Sequence, residues 1–174
     1  MTKILKIVSR MNMKKFEKIY EENKKLDEIF NELYDNNSSD TFRKNVLELL
    51  VELGELANET RCFKYWSSKG PSDKKIILEE FADCMLMTLC FCNMLEVDLK
   101  EEFIESQNND AVEQFISLYY ESSKLISDFN KDRIKTVLVN LIKLGNLIEL
   151  SDEDIINGCL LKIEKNMKRF EMGF

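Results

Sequence analysis

The sequence contains no histidine, a single proline and only five glycines in 174 residues. The absence of histidine excludes Ser-His-Asp and Cys-His catalysis and every metal site built on imidazole. The scarcity of proline and glycine, with 44% hydrophobic residues, is typical of an all-helical protein and argues against long disordered segments. The apolar run at residues 84–95 is too short to span a bilayer, so we expect no membrane partner.

The charge balance is acidic, with 25 basic against 32 acidic side chains and a net charge of −7. Because duplex nucleic acid is bound through basic surfaces, this balance argues against a nucleic-acid partner, although a nucleotide can still bind through a metal ion. The five cysteines form no Cys-x-x-Cys pair, and most lie in apolar stretches. We interpret them as buried free thiols, which predicts a reducing, cytoplasmic location.

Apolar residues recur at helical spacing along most of the chain, and no Pro- or Ser-rich linker divides it. We therefore predict one domain over residues 1–174, an all-α bundle of about six helices behind a loosely ordered lead-in at residues 1–12. Ser151 and Asp154 have the spacing of a capping box. The expected helices cover residues 14–34, 41–65, 73–95, 111–129, 131–149 and 151–167.

The second predicted helix contains a row of carboxylates. On a helical wheel, residues 45–60 are apolar nearly all round, with Leu47 and Val51 widening the apolar face. A helix of this kind is buried, so we expect the polar wedge that remains to face the interior. That wedge holds Glu48, Glu52, Glu55 and Glu59.

The third predicted helix carries a matching acidic pair. Glu80 and Asp83 lie three residues apart on one face, and no basic residue occurs between Lys75 and Lys100. A solvated helix face is the commoner origin of one such pair. Two pairs on apolar helices joined by a short loop favour a metal site, because buried carboxylates need a counter-charge. Oxygen-only ligands favour Mg²⁺ or Mn²⁺ over zinc.

The same residues resemble the motifs of a known enzyme family. Residues 52–67, ELGELANETRCFKYWS, resemble the first signature of the all-α dimeric dUTPases, which belong to the MazG-like nucleoside triphosphate pyrophosphohydrolases. Residues 79–83 match the family's EExxD motif on the following helix. The C-terminal family motif is matched by Lys162, Asn166, Arg169 and the closing pair Gly173-Phe174. The resemblance covers nearly the whole chain after residue 14.

This resemblance implies a MazG-like all-α fold and a metal site made by Glu52, Glu55, Glu80 and Asp83. Two or three Mg²⁺ ions are expected, with Mn²⁺ as a substitute. Glu52, or Glu55 as the second choice, would orient and deprotonate the attacking water. Metal ions suit a triphosphate substrate because they reverse the sign of an acidic site.

The resemblance also implies substrate contacts. The expected phosphate contacts, all within the C-terminal segment 162–174, are Lys162, Asn166 and Arg169. The expected base and sugar contacts are Asn23, Asn58, Trp66 and Phe174. Asn23 stands where the family has a uracil-reading glutamine, Phe174 replaces a tyrosine, and Leu86-Met87 replaces a histidine-phenylalanine pair.

The implied function is hydrolysis of dUTP to dUMP and pyrophosphate by a homodimer, with dUDP as a further substrate. Because Asn23 and Leu86 depart from the family pattern, one alternative is a house-cleaning pyrophosphatase for another pyrimidine deoxynucleotide or a broader set of nucleotides. A non-enzymatic alternative is a helical interaction module that retains the fold. Retention of all four carboxylates and the three C-terminal polar residues argues against that alternative, since a decayed enzyme would be expected to lose at least one.

Overall fold

Six helices of 14 to 22 residues form most of the protein, which a computed structural model describes over residues 10–33, 39–104 and 109–172. This architecture confirms the predicted all-α bundle. The elements in chain order are β1 (Arg10–Met11), a 3-10 turn (Lys14–Phe16), α1 (Glu17–Leu33), α2 (Ser39–Thr60), α3 (Lys74–Met94), β2 (Phe103–Ile104), α4 (Ala111–Lys124), α5 (Lys131–Leu147) and α6 (Asp152–Glu171).

The two short strands tie the start of the described chain to its middle. Arg10 lies opposite Ile104 and Met11 opposite Phe103 in an antiparallel pair. These contacts involve the end of the predicted lead-in, and residues 1–9 lie outside the described residues.

Side chains cap the first turn of three helices. Asp110 and Asn130 cap α4 and α5, each accepting a hydrogen bond from a backbone N–H three residues later, at 3.0 and 2.9 Å. Ser151 and Asp154 form the predicted capping box at the start of α6. Each cap satisfies a backbone group that the helix itself cannot pair, which contributes about 1 kcal/mol.

Several helix ends differ from the prediction. α2 ends at Thr60 rather than at residue 65, because Arg61 has a left-handed backbone conformation with φ of 58°. The Arg61 guanidinium holds the following loop by donating to Ser67 Oγ at 2.6 Å and to the Lys69 carbonyl at 3.1 Å. α4 ends before residue 129, and α6 continues past residue 167.

α3 is the central helix of the bundle and packs against α1, α2, α5 and α6. Its apolar character on most sides matches this position, since a helix surrounded by neighbours has little surface to offer to water. The side chains of α3 with no exposed surface include Phe81, Ala82, Met85, Leu89 and Phe91.

A glycine allows α6 to lie close to α3. A Cβ atom at Gly158 would lie only 2.7 Å from the Cγ atom of Leu78, so any larger residue would push the two helices apart. Lys162 follows Gly158 by about one helical turn. The close packing therefore brings Lys162 to the acidic side of α3.

The prediction that α2 is buried nearly all round is wrong. Leu47 and Val51 are 61% and 49% exposed, because the bundle covers α2 mainly on the sides that face α3 and α4. Its carboxylates consequently do not enter a closed interior. Glu48, Glu52 and Glu55 line a pocket between α2 and its neighbours, whereas Glu59 accepts a hydrogen bond from Ser72 Oγ.

Candidate active site

α1, α2, α3 and α6 contribute the wall of a pocket of about 700 Å³. Along α3, the wall is acidic at residues 79–83, and less polar side chains follow over the next two turns at Leu86, Met87 and Cys90. The pocket therefore has a charged part and a mainly apolar part, arranged in sequence along one helix. The carboxylates of the charged part are Glu48, Glu52, Glu55, Glu79, Glu80 and Asp83.

Three of the four predicted metal ligands come together in the charged part. Glu52, Glu80 and Asp83 each offer a carboxylate oxygen, and these oxygens all lie within 4.8 Å of one another. Glu80 and Asp83 share a face of α3 because they are three residues apart, and α2 brings Glu52 to them. Glu55, the fourth predicted ligand, lines the same pocket outside this group. An all-oxygen donor set of this kind fits a hard divalent cation.

Burial and mutual repulsion make these carboxylates reluctant to ionise. The pKa of Glu52 rises to about 7, chiefly because burial disfavours the charged form and then because of the charge of Asp83. Burial followed by the charge of Glu55 raises the pKa of Glu80. Burial also raises the pKa of Asp83, although a hydrogen bond from Lys162 opposes that change. Burial and the neighbouring acids therefore favour the protonated forms of Glu52, Glu80 and Asp83.

Lys162 supplies positive charge from α6. Its side chain is only 12% exposed, and Nζ donates to Asp83 Oδ2 at 2.5 Å and lies 3.9 Å from Glu79 Oε1. Asn166 and Arg169 follow on the next two turns and line the same pocket. All three predicted phosphate contacts therefore belong to one wall of the pocket that also holds the acidic cluster.

A partly buried hydrogen-bond network borders the apolar part. Asn23 is 1% exposed, and its Nδ2 donates to the Leu86 carbonyl at 3.3 Å and to Asp27 Oδ2 at 3.5 Å. Asp27 Oδ2 also accepts a hydrogen bond from Asn93 Nδ2 at 3.1 Å. Burial raises the pKa of Asp27 to about 6, in spite of hydrogen bonds from Asn93 and Cys90 that favour its charged form. Asn23 is therefore a pocket residue, as a base-binding role requires.

Two other predicted base or sugar contacts lie outside the pocket wall. Asn58 is exposed and accepts a hydrogen bond from Lys64 Nζ. Trp66 is 66% exposed, with its ring 5.1 Å from that of Tyr65. Neither lines the pocket, and Phe174 lies outside the described residues.

Sequence reasoning assigned no site role to three carboxylates of the pocket, Asp27, Glu48 and Glu79. Glu48 precedes Glu52 by one turn of α2. Partial burial of its carboxylate in the pocket, followed by the charge of Asp83, raises the pKa of Glu48, although the residue as a whole is exposed. The available signal was the spacing of four, which puts Glu48 on the Glu52 side of α2 and Asp27 on the Asn23 side of α1.

The protein is an all-α bundle, and its pocket holds both oxygen ligands for a cation and basic side chains. A pocket of this kind can bind a phosphorylated ligand. A family profile described as dUTPase matches residues 15–174, and the chain belongs to this family. It is an enzyme, a dUTP diphosphatase that hydrolyses dUTP. A search of curated proteins finds no match. Within the described ranges, no helix combines the length and the apolarity that are needed to cross a bilayer.

Proposed function

We propose that the enzyme converts dUTP to dUMP and pyrophosphate in a reaction that depends on Mg²⁺ held by its acidic cluster. The observation that carries this proposal is the grouping of Glu52, Glu80 and Asp83 within 4.8 Å, in a pocket that Lys162 and Arg169 also line. Carboxylates alone would repel a triphosphate, and basic residues alone would leave the presence of the carboxylates unexplained. A cation that lies between the carboxylates and the phosphates explains why both kinds of residue occur in the pocket.

The cofactor assignment follows from the donor set. Glu52, Glu80, Asp83 and Glu55 offer only oxygen, which favours Mg²⁺, with Mn²⁺ as a substitute, and the number of acids supports two or three ions. When bound, Mg²⁺ supplies positive charge to the triphosphate and makes a coordinated water more acidic. A bound metal ion would also relieve the repulsion among these carboxylates, and this supports the same assignment.

Side chains of this protein complete the chemistry. Glu52 is our first choice to accept the proton of the attacking water, because its carboxylate lies beside those of Glu80 and Asp83, where a water held by the metal would also lie. Glu55 is the second choice. Lys162, Asn166 and Arg169 would hold phosphate oxygens from α6, where charge-assisted hydrogen bonds orient the chain of phosphates for displacement.

The base would occupy the apolar part of the pocket. Leu26, Leu86 and Met87 offer apolar contacts, and Asn23 offers an amide to a base edge. Contacts of Asn58, Trp66 and Phe174 with base or sugar stay predictions, as does acceptance of dUDP.

We also propose that the enzyme is a homodimer. Leu47 and Val51 of α2, and Ile116 and Tyr120 of α4, are exposed apolar side chains on two helices that pack against each other. Exposed apolar surface of this kind supports a protein interface. Light scattering should give twice the chain mass for the wild type, and Val51→Glu should shift the mass toward that of one chain.

A cytoplasmic location is part of the same proposal. All five cysteines are free thiols, and Cys84, Cys92 and Cys159 are buried. A reducing compartment keeps such thiols unpaired.

The test measures pyrophosphate release from dUTP, dCTP, dTTP, dATP, dGTP and UTP with Mg²⁺ and with EDTA, and phosphate release from dUDP. Preference for dUTP that requires Mg²⁺ is the expected result. Comparable rates on several bases would instead assign the enzyme a broader substrate set. Undiminished hydrolysis in EDTA would overturn the metal proposal.

A further inference from the structure

The polar side chains of Asn23, Asp27 and Asn93 meet beside the apolar part of the pocket. Asp27 of α1 is hydrogen-bonded to both of the others. Its Oδ2 accepts hydrogen bonds from Asn93 Nδ2 of α3 at 3.1 Å and from Asn23 Nδ2 at 3.5 Å. Asp27 and Asn23 line the pocket, whereas Asn93 does not belong to its wall. The carboxylate therefore connects a residue that a ligand can contact to one that lies behind the pocket.

A carboxylate is an unfavourable choice for a purely structural role at this position. Asn23, Asn93 and Cys90 donate hydrogen bonds to the half-buried Asp27, and all three donors are neutral. Drawing a carboxylate out of water toward neutral partners costs free energy that an apolar side chain of similar size would not cost. The place of Asp27 in a ligand pocket therefore indicates a contribution to ligand binding.

The contacts of Asn23 determine which end of its amide meets a ligand. The Leu86 carbonyl at 3.3 Å and the Asp27 carboxylate at 3.5 Å are both acceptors. Only the amide NH₂ group can donate to them, so the chemistry of these partners sets the orientation of the amide. Oδ1 of Asn23 is then the polar atom left for a ligand, and it accepts hydrogen bonds but cannot donate one.

We propose that Asp27, held by Asn93, is a positioning residue that favours uracil over cytosine by presenting Asn23 Oδ1 to the base. Uracil carries an N–H at N3 and can donate to this oxygen, whereas cytosine has a lone pair at N3 that the oxygen repels. The inference rests on the proposed function, which puts the base beside Asn23. Without the carboxylate, a single contact to Leu86 holds the amide, and its other end can turn toward the base.

The test compares kcat and KM for dUTP and dCTP in the wild type, Asp27→Leu and Asn93→Leu. Leucine removes the acceptor at residue 27, whereas asparagine would keep an amide oxygen there. We expect the ratio of kcat/KM values, dUTP to dCTP, to fall about tenfold in Asp27→Leu, which corresponds to about one hydrogen bond. The change should come mainly from a higher KM for dUTP. Asn93→Leu should lower the ratio by a smaller factor, because it loosens Asp27 without altering the pocket wall. Glu28→Gln, which removes a neighbouring exposed carboxylate of α1, should keep the wild-type ratio.

The outcomes separate this inference from the function on which it rests. Wild-type ratios in both Asp27→Leu and Asn93→Leu would overturn the positioning role and leave dUTP hydrolysis in place. A lower melting temperature and a lower kcat for both nucleotides, at an unchanged ratio, would make Asp27 structural and overturn it as well. Failure of the wild type to hydrolyse either nucleotide with Mg²⁺ would overturn the proposed function itself. If Asp27→Leu does not fold, the ratio in Asn93→Leu decides the question.

Discussion

Two acidic regions of this enzyme balance their negative charge in opposite ways. Between α4 and α5, Glu121 and Asp128 converge on Arg133, whose Nε and Nη2 donate to Asp128 Oδ2 at 2.9 and 2.6 Å. This arginine is the main cause of the lowered pKa of Asp128. In the pocket, by contrast, burial and neighbouring carboxylates raise the pKa of Glu52 to about 7. Ionisation of the acids stabilises the first region, whereas ionisation of the acids in the pocket is unfavourable.

The difference distinguishes an acidic cluster that stabilises the fold from one that is suited to a ligand. Both regions contain several acids, so the number of acids does not separate them. What separates them is the environment of the acids: Arg133 lies between its two partners, whereas Glu52 lies among other carboxylates and Lys162 is bonded to Asp83. A carboxylate cluster that its own chain leaves under-neutralised binds an external cation with less competition.

The largest effect should follow from changing the pocket acid with the most strongly raised pKa. Glu52→Gln keeps the shape of the side chain but removes an ionisable oxygen ligand and our first-choice general base. We expect kcat for dUTP to fall by about 100- to 10,000-fold, the range for loss of a general base. Steady-state kinetics at saturating Mg²⁺ measure this.

The matched control is Glu121→Gln, which removes the same charge from the Arg133 cluster. It should keep kcat within about twofold of the wild type, because Glu121 binds Arg133 between α4 and α5 and does not line the substrate pocket. Normal turnover by Glu52→Gln would refute the assignment of the acidic cluster to catalysis, and a large loss in Glu121→Gln would refute the contrast between the two regions.

A smaller effect should separate two arginines of the same charge. Arg169 lines the pocket, whereas Arg133 is engaged by Asp128 and Glu121. A charge-assisted hydrogen bond to phosphate contributes about 1.5–3 kcal/mol, so Arg169→Met should lower kcat/KM for dUTP by about 10- to 100-fold. Arg133→Met should leave kcat/KM nearly unchanged. Equal losses in both variants would show that the effect of Arg169 is not specific to the substrate pocket.

Local patterns in the sequence predicted much of the fold and the acidic side of the site. Helical spacing predicted six helices, and the Ser151–Asp154 spacing predicted a capping box that the structure confirms. The spacing of three between Glu80 and Asp83 put both on one face of α3. These features depend on neighbours within one or two turns, which sequence periodicity describes directly.

Features that depend on contacts between distant segments were harder to predict. Lys162 and Asp83 are 79 residues apart, so spacing alone could not reveal that the lysine neutralises this acid. The left-handed conformation of Arg61 ended α2 early, and Trp66 lies exposed in the loop that follows. The pair Leu26-Asp27 resembles a family pattern, but no local spacing predicted that packing would bring Asn93 to Asp27.

A third prediction concerns the metal-free protein in EDTA. Because the folded pKa of Glu52 is about 7 against an ordinary value of 4.5, the folded state holds more protons than the unfolded state between these values. The stabilisation from the protonated pocket is therefore present below pH 4.5 and is lost as pH rises through 7. Glu52→Gln escapes this loss. Its free energy of unfolding should exceed that of the wild type by about 2 kcal/mol at pH 8, with allowance for solvent screening, and by little at pH 4.5.

Urea unfolding at the two pH values measures this difference. Addition of Mg²⁺ at pH 8 should stabilise the wild type more than Glu52→Gln, because the ion offsets the repulsion that the variant already lacks. A gap between the two proteins that does not change with pH would show that Glu52 is not strained by its neighbours.

The smallest effect should come from the Arg133 cluster, and its pH dependence should have the opposite sign. Because half of the Asp128 side chain is exposed to water, Arg133→Met should lower the free energy of unfolding only slightly at pH 7. Because Arg133 lowers the pKa of Asp128, this contribution is present above its ordinary pKa of 3.8 and is lost as pH falls through the folded value. Urea midpoints at pH 7 and pH 3 should therefore converge for Arg133→Met and the wild type at the lower pH. Convergence at the higher pH instead would mean that both acidic regions are strained alike, and the contrast between them would disappear.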